Sequence, residues 1–307
     1  MNRDRTAVLI TCHNRKPKTL ACLTALFNQE PSPDVTIDVY LVDDGSTDGT
    51  AEAVQQAYPQ VKILQGDGSL FWNGGMRKAF AEALKQDYDY YLWLNDDTVL
   101  YPDAIASLLT TSHHLAAQGN ERAIVVGSTC HPETGELTYG GVVRSTWWHP
   151  FKYRIVEPGT EAKPAETING NCVLIPRAVV QVLGNLDSAF THSIGDIDYG
   201  LRAQRQGCSV WVAPGYAGKC QTNPPQGHAW HDPDLTLRQR WQAVTHNKGL
   251  PPKESKVFCQ RHAGLLWQFY WGLPYVRLVL ISVFGSSKRK KGYKVESSID
   301  SARGNFK

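Results

Sequence analysis

Three short apolar runs in this chain each break off in a polar cluster, and that alternation restricts the fold more than any other feature of the sequence. Residues 6–11 lead into Thr11, Cys12, His13, Asn14 and Arg15. Residues 35–42 lead into Asp43, Asp44, Gly45 and Ser46, and residues 90–94 into Asn95, Asp96, Asp97 and Thr98. Continuous apolar runs of this length suit strands buried on both faces of a parallel sheet. Between them lie segments of helical spacing. Pro17 starts one that carries Leu20, Leu23 and Phe27 on one face, and Met76, Ala79, Phe80, Ala83 and Leu84 line another. Alternating strands and helices imply right-handed crossovers and a mostly parallel sheet. Ligands of such sheets sit outside the carboxyl ends of the strands, so the three clusters should converge.

The remainder is less regular. A third early strand is expected at 61–64, and later strands at 123–128, 172–175 and 209–212, with a hairpin-like stretch at 137–143. A short helix starts at Pro176, and another over 196–206 is closed by Gly207. Residues 144–168, rich in Trp, Pro, His and charge, read as a long functional loop or a disordered excursion, and 213–260 carry no firm assignment. Residues 264–284 are largely apolar, but Gly272, Pro274 and Arg277 interrupt them and argue against a spanning helix. Two readings stay open for 264–291. One is an interfacial helix anchored by Lys288, Arg289, Lys290 and Lys291, each cation near an anionic surface adding about 1 kcal/mol. The other is a helix packed on the main domain with a solvated tail.

At 307 residues and 42% hydrophobic, the chain can bury one large α/β core or two small ones. A net charge of +3 is too small to imply a nucleic-acid binder. Seven cysteines without a Cys-x-x-Cys pair favour reduced thiols in a cytosolic compartment. The apolar run behind the polar Met1 to Arg5 is too short for a signal peptide, so no export is expected.

Adjacent carboxylates repel, and Asp96 and Asp97 are worth placing together where a cation neutralises them. Oxygen ligands of this kind suit Mg2+ or Mn2+; the alternative is that the pair caps a turn. Asp43 and Asp44 either receive a nucleobase or ribose hydroxyl or form an acidic turn. Thr11, His13, Asn14 and Arg15 line the same pocket, with Arg15 available to phosphate. In the stretch Phe71-Trp72-Asn73-Gly74-Gly75, read as lying just before a helix, Gly74 and Gly75 permit close backbone approach of a donor whose sugar or phosphate Asn73 or Arg77 contacts. The plainer reading is an aromatic anchor and a glycine turn. Trp147 and Trp148 suit either carbohydrate stacking or packing, and His228 and His231 either ligate a metal or sit in a loop.

Thr-Cys-His-Asn-Arg at 11–15, Val-Asp-Asp-Gly-Ser-Thr-Asp-Gly-Thr at 42–50, Leu-Asn-Asp-Asp-Thr at 94–98 and Gly-Asp-Ile-Asp-Tyr-Gly-Leu-Arg at 195–202 occur in this order. Over roughly residues 6–215 the chain resembles the family 2 glycosyltransferases, enzymes of the GT-A fold. Within them it is most similar to the bacterial rhamnosyltransferase-like group, which builds surface polysaccharides. The resemblance implies an α/β GT-A domain over 1–215, divided into a nucleotide-binding half at 1–118 and an acceptor half at 119–215. A partly helical extension, 216–307, follows.

By the same resemblance Asp44 binds the base, Asp97 ligates Mg2+ or Mn2+ with Asp96 nearby, and Asp196 is the catalytic base. The family often has Glu-Asp at that point; here Gly195 replaces the Glu, which keeps Asp198 as a second candidate. Gly195, Trp147 and Trp148 fall on the acceptor side, and His228 or His231 takes the place of a histidine metal ligand found in some relatives.

The implied activity is inverting transfer from a UDP- or dTDP-linked sugar, rhamnose among the candidates, to a hydroxyl of a glycan or lipid-linked glycan. It would take place in the cytoplasm, with peripheral contact at the inner membrane face through 264–291. Oligomeric state is left open. A nicotinamide-dependent dehydrogenase is disfavoured because no Gly-x-Gly-x-x-Gly follows the first strand. The non-enzymatic rival is a glycosyltransferase-like scaffold that binds nucleotide or glycan without turnover; retention of Asp44, Asp96, Asp97 and Asp196 together argues against it.

Overall fold

The apolar runs become strands because alternate side chains are enclosed on opposite faces. In the computed structural model, which describes residues 4–30, 35–222 and 235–284, β1 (Asp4–Cys12) sends Ala7 and Leu9 into one core and Val8 and Ile10 into another. All four are fully buried. Burying each of the larger three favours folding by about 1.5–3 kcal/mol, so the position of β1 is strongly fixed.

Around it lie β2 (Val35–Asp43), β3 (Lys62–Gln65) and β4 (Tyr90–Leu94), all parallel, in the order β3-β2-β1-β4. Helices α1 (Lys16–Phe27), α2 (Thr50–Ala57) and α3 (Phe71–Ala83) connect them. Helix α1 buries Thr19, Cys22, Leu23 and Leu26, a face turned from the expected one, so that Leu20 and Phe27 are only partly covered.

After β4 come β5 (Val99–Leu100), α4 (Ala104–Ala117), β6 (Ala123–Cys130), β7 (Leu137–Tyr139), β8 (Gly141–Arg144), β9 (Tyr153–Ile155), β10 (Lys163–Ala165), β11 (Thr167–Ile168) and β12 (Cys172–Pro176). Strand β12 enters antiparallel between β4 and β6. Helices α5 (Arg177–Leu183) and α6 (Gly195–Arg205) lead to β13 (Ser209–Lys219), which pairs parallel with β6. Along the main path β10-β13-β6-β12-β4-β1-β2-β3, only β12 and β10 run against the rest, so the sheet is mostly parallel. Residues 144–168 are neither a bare loop nor an excursion. They supply β9, β10 and β11, and β11-β8-β9 form a small second sheet.

Strand β13 continues through residue 215, where the sequence suggested a division. The stretch left unassigned contains α7 (Leu237–Thr245), opened by a capping box at Thr236 and Gln239, and α8 (Pro252–His262). A 3-10 turn, Gly264–Leu266, precedes α9 (Trp267–Phe284). Among the described residues no helix is long and apolar enough to cross a membrane.

Helix α3 begins at Phe71, so the two glycines lie inside it rather than ahead of it. A side chain at Gly75 would collide with Thr11 Oγ1 and lie 2.8 Å from Thr11 Cβ, which shows that this glycine lets α3 approach β1. Helix propensity alone favours Ala over Gly by about 1 kcal/mol, whereas overpacking costs about 1–3 kcal/mol or more. Gly75→Ala is therefore expected to lower the free energy of unfolding in urea by about 1–2 kcal/mol. An unchanged or higher midpoint would contradict the close approach.

Candidate active site

The three strand-end clusters meet because β1, β2 and β4 run parallel and end on one side of the sheet: Cys12 pairs with Asp43, and the Asp44 amide donates to the Cys12 carbonyl at 2.9 Å. From the end of β1, Arg15 reaches across to the end of β4 and donates to both acids, Nη1 to Asp96 Oδ1 at 2.7 Å and Nη2 to Asp97 Oδ2 at 2.8 Å. Lys18 Nζ lies 3.9 Å from Asp97, and Thr19 Oγ1 donates to Asp96 Oδ2 at 3.4 Å. Both acid side chains are about 5% exposed or less, so two adjacent carboxylates have little water to solvate them. Burial pushes the Asp96 carboxyl up to about 6, with Arg15 opposing the rise and Asp97 adding to it.

The carboxylates of the second cluster are turned to another use. Asp44 Oδ1 accepts from the amides of Gly68 at 2.8 Å and Leu70 at 3.3 Å, and Oδ2 from Phe71 at 2.9 Å. Asp43 Oδ1 accepts from the Ser46 amide at 3.1 Å, and both acids are buried. The oxygens expected to receive a nucleobase are thus held by loop amides, and Asp44 shapes the 66–71 loop. Asn14, at φ +51°, accepts from the Thr47 amide at 2.7 Å, while His13 Nδ1 lies 2.6 Å from the Asp44 carbonyl. Thr11 lies against Gly75.

The second half of the site comes from a turn that the sequence reading passed over, Gly170-Asn171 at the start of β12. Leu94 pairs with Cys172, so this antiparallel strand begins where β4 ends. The Asn95 amide donates to the Asn171 carbonyl at 2.9 Å, and the Gly170 amide to Asp196 Oδ2 at 2.8 Å. Cys220, at the end of β13, donates through Sγ to Asp97 Oδ1 at 3.5 Å and lies 4.0 Å from Asn171 Oδ1. Trp72 Nε1 donates to Asn95 Oδ1 at 2.7 Å, and its ring leaves no room for a side chain at Gly170. Asp196 therefore bonds this turn directly, and Asp97 is linked to it through Cys220. A polar triplet, Asn169-Gly170-Asn171, directly ahead of an apolar run was the available signal, because a reversed strand starts where its neighbours finish.

Asp196 sits in the first turn of α6 and accepts from the Ile197 amide at 2.8 Å. Burial raises its carboxyl above the ordinary value, against the lowering effect of the Gly170 and Ile197 amides. A raised carboxyl is a better proton acceptor. Asp198 is a different case. Fully buried, it accepts from Arg202 Nε at 2.7 Å and Arg261 Nη1 at 3.1 Å and contacts His262 Nε2 at 2.9 Å. Burial alone would raise it, but the bonds from His262, Arg202 and Arg261 outweigh that and hold it below the usual range. Of the two acids expected as base, Asp198 is spent on tying α8 to α6.

Asn73 is also placed in the framework rather than towards a ligand. It is wholly buried, and its amide donates to the carbonyls of Asp187 at 3.1 Å and Phe190 at 2.7 Å. Gly195 packs so closely on Asn73 that any side chain there would strike Asn73 Oδ1, and Ile194 before it is held at φ +59°. That crowding explains the glycine where a Glu was anticipated. Gly74 is buried in α3, and Arg77, half-buried on the same helix, offers its carbonyl to Asn185 Nδ2 at 2.9 Å. His192, also not anticipated, faces the Trp72 amide at 3.5 Å. Burial and then the nearby Lys248 and His246 push it down to about 4, so it is neutral at pH 7.

Trp147 and Trp148 are exposed, and the Trp148 carbonyl accepts from Tyr270 of α9 at 2.9 Å. His228 and His231 lie outside the described residues. Among the described residues no three His, Cys, Asp or Glu side chains converge as a metal cage. The donor set nevertheless suits a hard cation that keeps water or phosphate oxygens as its other ligands. The Arg15 guanidinium between Asp96 and Asp97 already demonstrates that positive charge is accommodated there.

The family model described as Glycosyl transferase family 2 matches residues 7–184. An N-acetylglucosaminyl-diphospho-decaprenol L-rhamnosyltransferase of Mycobacterium tuberculosis is 24% identical over 198 residues. That match spans 57% of this chain and 64% of the relative, a little under two thirds of its length. A mannosyltransferase from Pyrobaculum calidifontis, solved in complex with GDP-Man and Mn2+, superposes with a TM-score of 0.54 at 15% identity, covering 99% of this chain and 80% of that one. Residues 1–349 of TarS from S. aureus superpose at 0.51 and 12% identity, covering 90% and 74%. The two structures share the GT-A fold with this chain.

Removing the charge of Asp198 leaves Arg202 and Arg261 without their buried partner. Asp198→Asn is expected to cost about 3 kcal/mol at pH 7, the lower end for a broken buried pair because both arginines are partly exposed. The folded-state value is depressed, so the contribution of the carboxylate is complete above the ordinary aspartate value of about 3.9 and is lost as pH falls through the lower folded value. Urea titrations of both proteins should begin to approach each other below about pH 4 and converge once the pH is under the lowered folded value. A gap independent of pH would contradict the assignment.

Proposed function

The chain belongs to glycosyl transferase family 2, and on that premise we propose that it inverts the anomeric centre of a nucleoside-diphosphate sugar while transferring it to a hydroxyl of a glycan or lipid-linked glycan. The observation that carries this reading is that the Gly170-Asn171 turn bonds Asp196 through the Gly170 amide and is joined to the 95–97 segment through the Asn95 amide and Cys220. Asp196 takes the proton of the acceptor hydroxyl as its oxygen bonds to the anomeric carbon. The carbon–oxygen bond to the diphosphate breaks on the opposite side, and the bonding pair leaves with the diphosphate. General-base assistance of this kind is worth about 10²–10⁴-fold.

The chain's own residues set the remaining conditions. Arg15 and Lys18 supply positive charge beside Asp97, next to which the leaving diphosphate is placed. The 66–71 loop, shaped by Asp44, frames the nucleotide on that side of the sheet. His13, Asn14 and Thr11 line the adjoining strand end, with Arg77 on α3 as a further donor contact. Mg2+ or Mn2+ held by Asp97 with Asp96 would act as a Lewis acid on the leaving group.

The donor is read as UDP- or dTDP-linked, with rhamnose as the first candidate sugar. Support comes from the Mycobacterium tuberculosis relative, whose name specifies an L-rhamnosyltransferase acting on a diphospho-decaprenol-linked N-acetylglucosamine. The same name supports a lipid-linked acceptor, and the reading extends to a part in building bacterial surface polysaccharide at the cytoplasmic face.

A thermal-shift screen of UDP-, dTDP- and GDP-sugars with Mn2+, with and without EDTA, identifies the donor. Asp97→Ala is expected to abolish metal-dependent stabilisation by donor. Asp196→Asn should leave donor binding intact and reduce transfer by about 10²–10⁴-fold. Equal loss of binding and transfer in Asp196→Asn would contradict its role, and binding without turnover across all donors and acceptors would identify a scaffold.

A further inference from the structure

Helix α9 carries two apolar stripes and, among the described residues, one of them is packed against the body. Trp271, Tyr275 and Leu278 face the body: Trp271 Nε1 donates to the Pro252 carbonyl at 3.0 Å, the Tyr275 hydroxyl donates to the Leu250 carbonyl at 2.9 Å, and Leu278 is fully buried. Phe269, Leu273, Val276 and Leu280 make the second stripe, each between 40% and 58% exposed. Two residues along an α-helix is a rotation of about 200°, so Phe269 and Trp271, like Leu273 and Tyr275, point to nearly opposite sides. Leu265 and Leu266, in the preceding 3-10 turn, extend the exposed stripe, Leu265 being 97% exposed.

The exposed aromatic hairpin joins this surface. Trp147 is 94% exposed, and the loop behind it is pinned to the first turns of α9 through the Tyr270 hydroxyl on the Trp148 carbonyl and ring contacts of His149 and Phe151 with Tyr270. Exposed Trp beside a stripe of Leu, Val and Phe is the composition of a surface that meets a water–hydrocarbon boundary. Charge selects the occupant. Residues 255–295 contain no Asp or Glu and eight Lys or Arg: Lys256, Arg261, Arg277, Lys288, Arg289, Lys290, Lys291 and Lys294. A second copy of the chain would bring the same sign of charge to the interface. An anionic phospholipid surface brings the opposite sign, and each cation close to it strengthens attachment several-fold.

We infer that the outer stripe of α9, together with the Trp147-Trp148 loop, is a seat for an anionic phospholipid bilayer. The helix lies along the headgroup boundary, its Trp271, Tyr275 and Leu278 side keeping the catalytic body attached. This deepens the proposed function, resting on it only for the idea that the acceptor is lipid-linked, since a chain seated in this way meets such an acceptor by lateral diffusion.

The test is flotation of the full chain with vesicles of phosphatidylcholine alone and of phosphatidylcholine mixed with phosphatidylglycerol, read together with tryptophan fluorescence. Binding to the anionic vesicles, at least tenfold weaker to the neutral ones and reduced by salt, with a blue shift of emission, is expected. Leu273→Glu with Val276→Glu should weaken vesicle binding at least tenfold and leave transfer to a water-soluble acceptor unchanged. Trp147→Ala with Trp148→Ala should remove most of the blue shift. Wild-type protein that stays with the aqueous fraction, or glutamate variants that bind as the wild type does, would overturn the inference without touching the transfer activity. So would a wild-type dimer in light scattering that the glutamates dissociate while vesicle binding stays constant, which would assign the stripe to a second copy.

Discussion

The reversed entry of β12 into the sheet is the constraint on which the site depends. Strands that run together present their ends on one side, which accounts for the meeting of Arg15, Asp44 and Asp97. It does not account for Asp196, which lies on the far side of β12 in sequence. Because Leu94 pairs with Cys172, the turn ahead of β12 is delivered to the end of β4. Two backbone amides then complete the junction, Asn95 to the Asn171 carbonyl and Gly170 to the Asp196 carboxylate. Both donors are backbone amides, so the turn is set by the path of the chain, while the link to α6 is made by the Asp196 carboxylate itself.

The buried acids are balanced in two distinct ways. Asp198 is surrounded by Arg202, Arg261 and His262, which together overcome the cost of burial and hold it ionised. Such a group is a structural clamp between α6 and α8. Asp96 and Asp97 share Arg15, and Asp96 is left with its carboxyl raised to about 6 by burial. A pair so incompletely balanced favours added positive charge, the condition that the departure of a diphosphate in a cation's company calls for.

What the sequence disclosed and what it withheld divide along physical lines. Buried parallel strands announce themselves by continuous apolar runs, and the clusters at their ends are forced together by the sheet, so the convergence of 11–15, 43–48 and 95–98 was legible. The use made of each oxygen was not, since that depends on which loop amides come near. Asp44 illustrates this: its place at the strand end was foreseen, but not that three amides of 68–71 donate to its carboxylate. Direction is equally silent in an apolar run, and for β12 the polar triplet Asn169-Gly170-Asn171 ahead of it was the one hint of its reversal. Gly75 was misread for a related reason. A glycine demanded by helix-to-strand packing looks the same in sequence as one that makes a turn. The 144–168 stretch hid short strands because each is only two or three residues long, below what periodicity can detect.

The packing of Asn73 on Gly195 carries an evolutionary consequence. Neither position can drift alone: enlarging residue 195 drives its new atoms into the amide at 73, and that amide is itself held by two carbonyls from the segment leading into α6. A lineage that gained an acidic side chain at 195 would first have to shrink residue 73 and find other donors for those carbonyls. The two sites should therefore change hands as a unit.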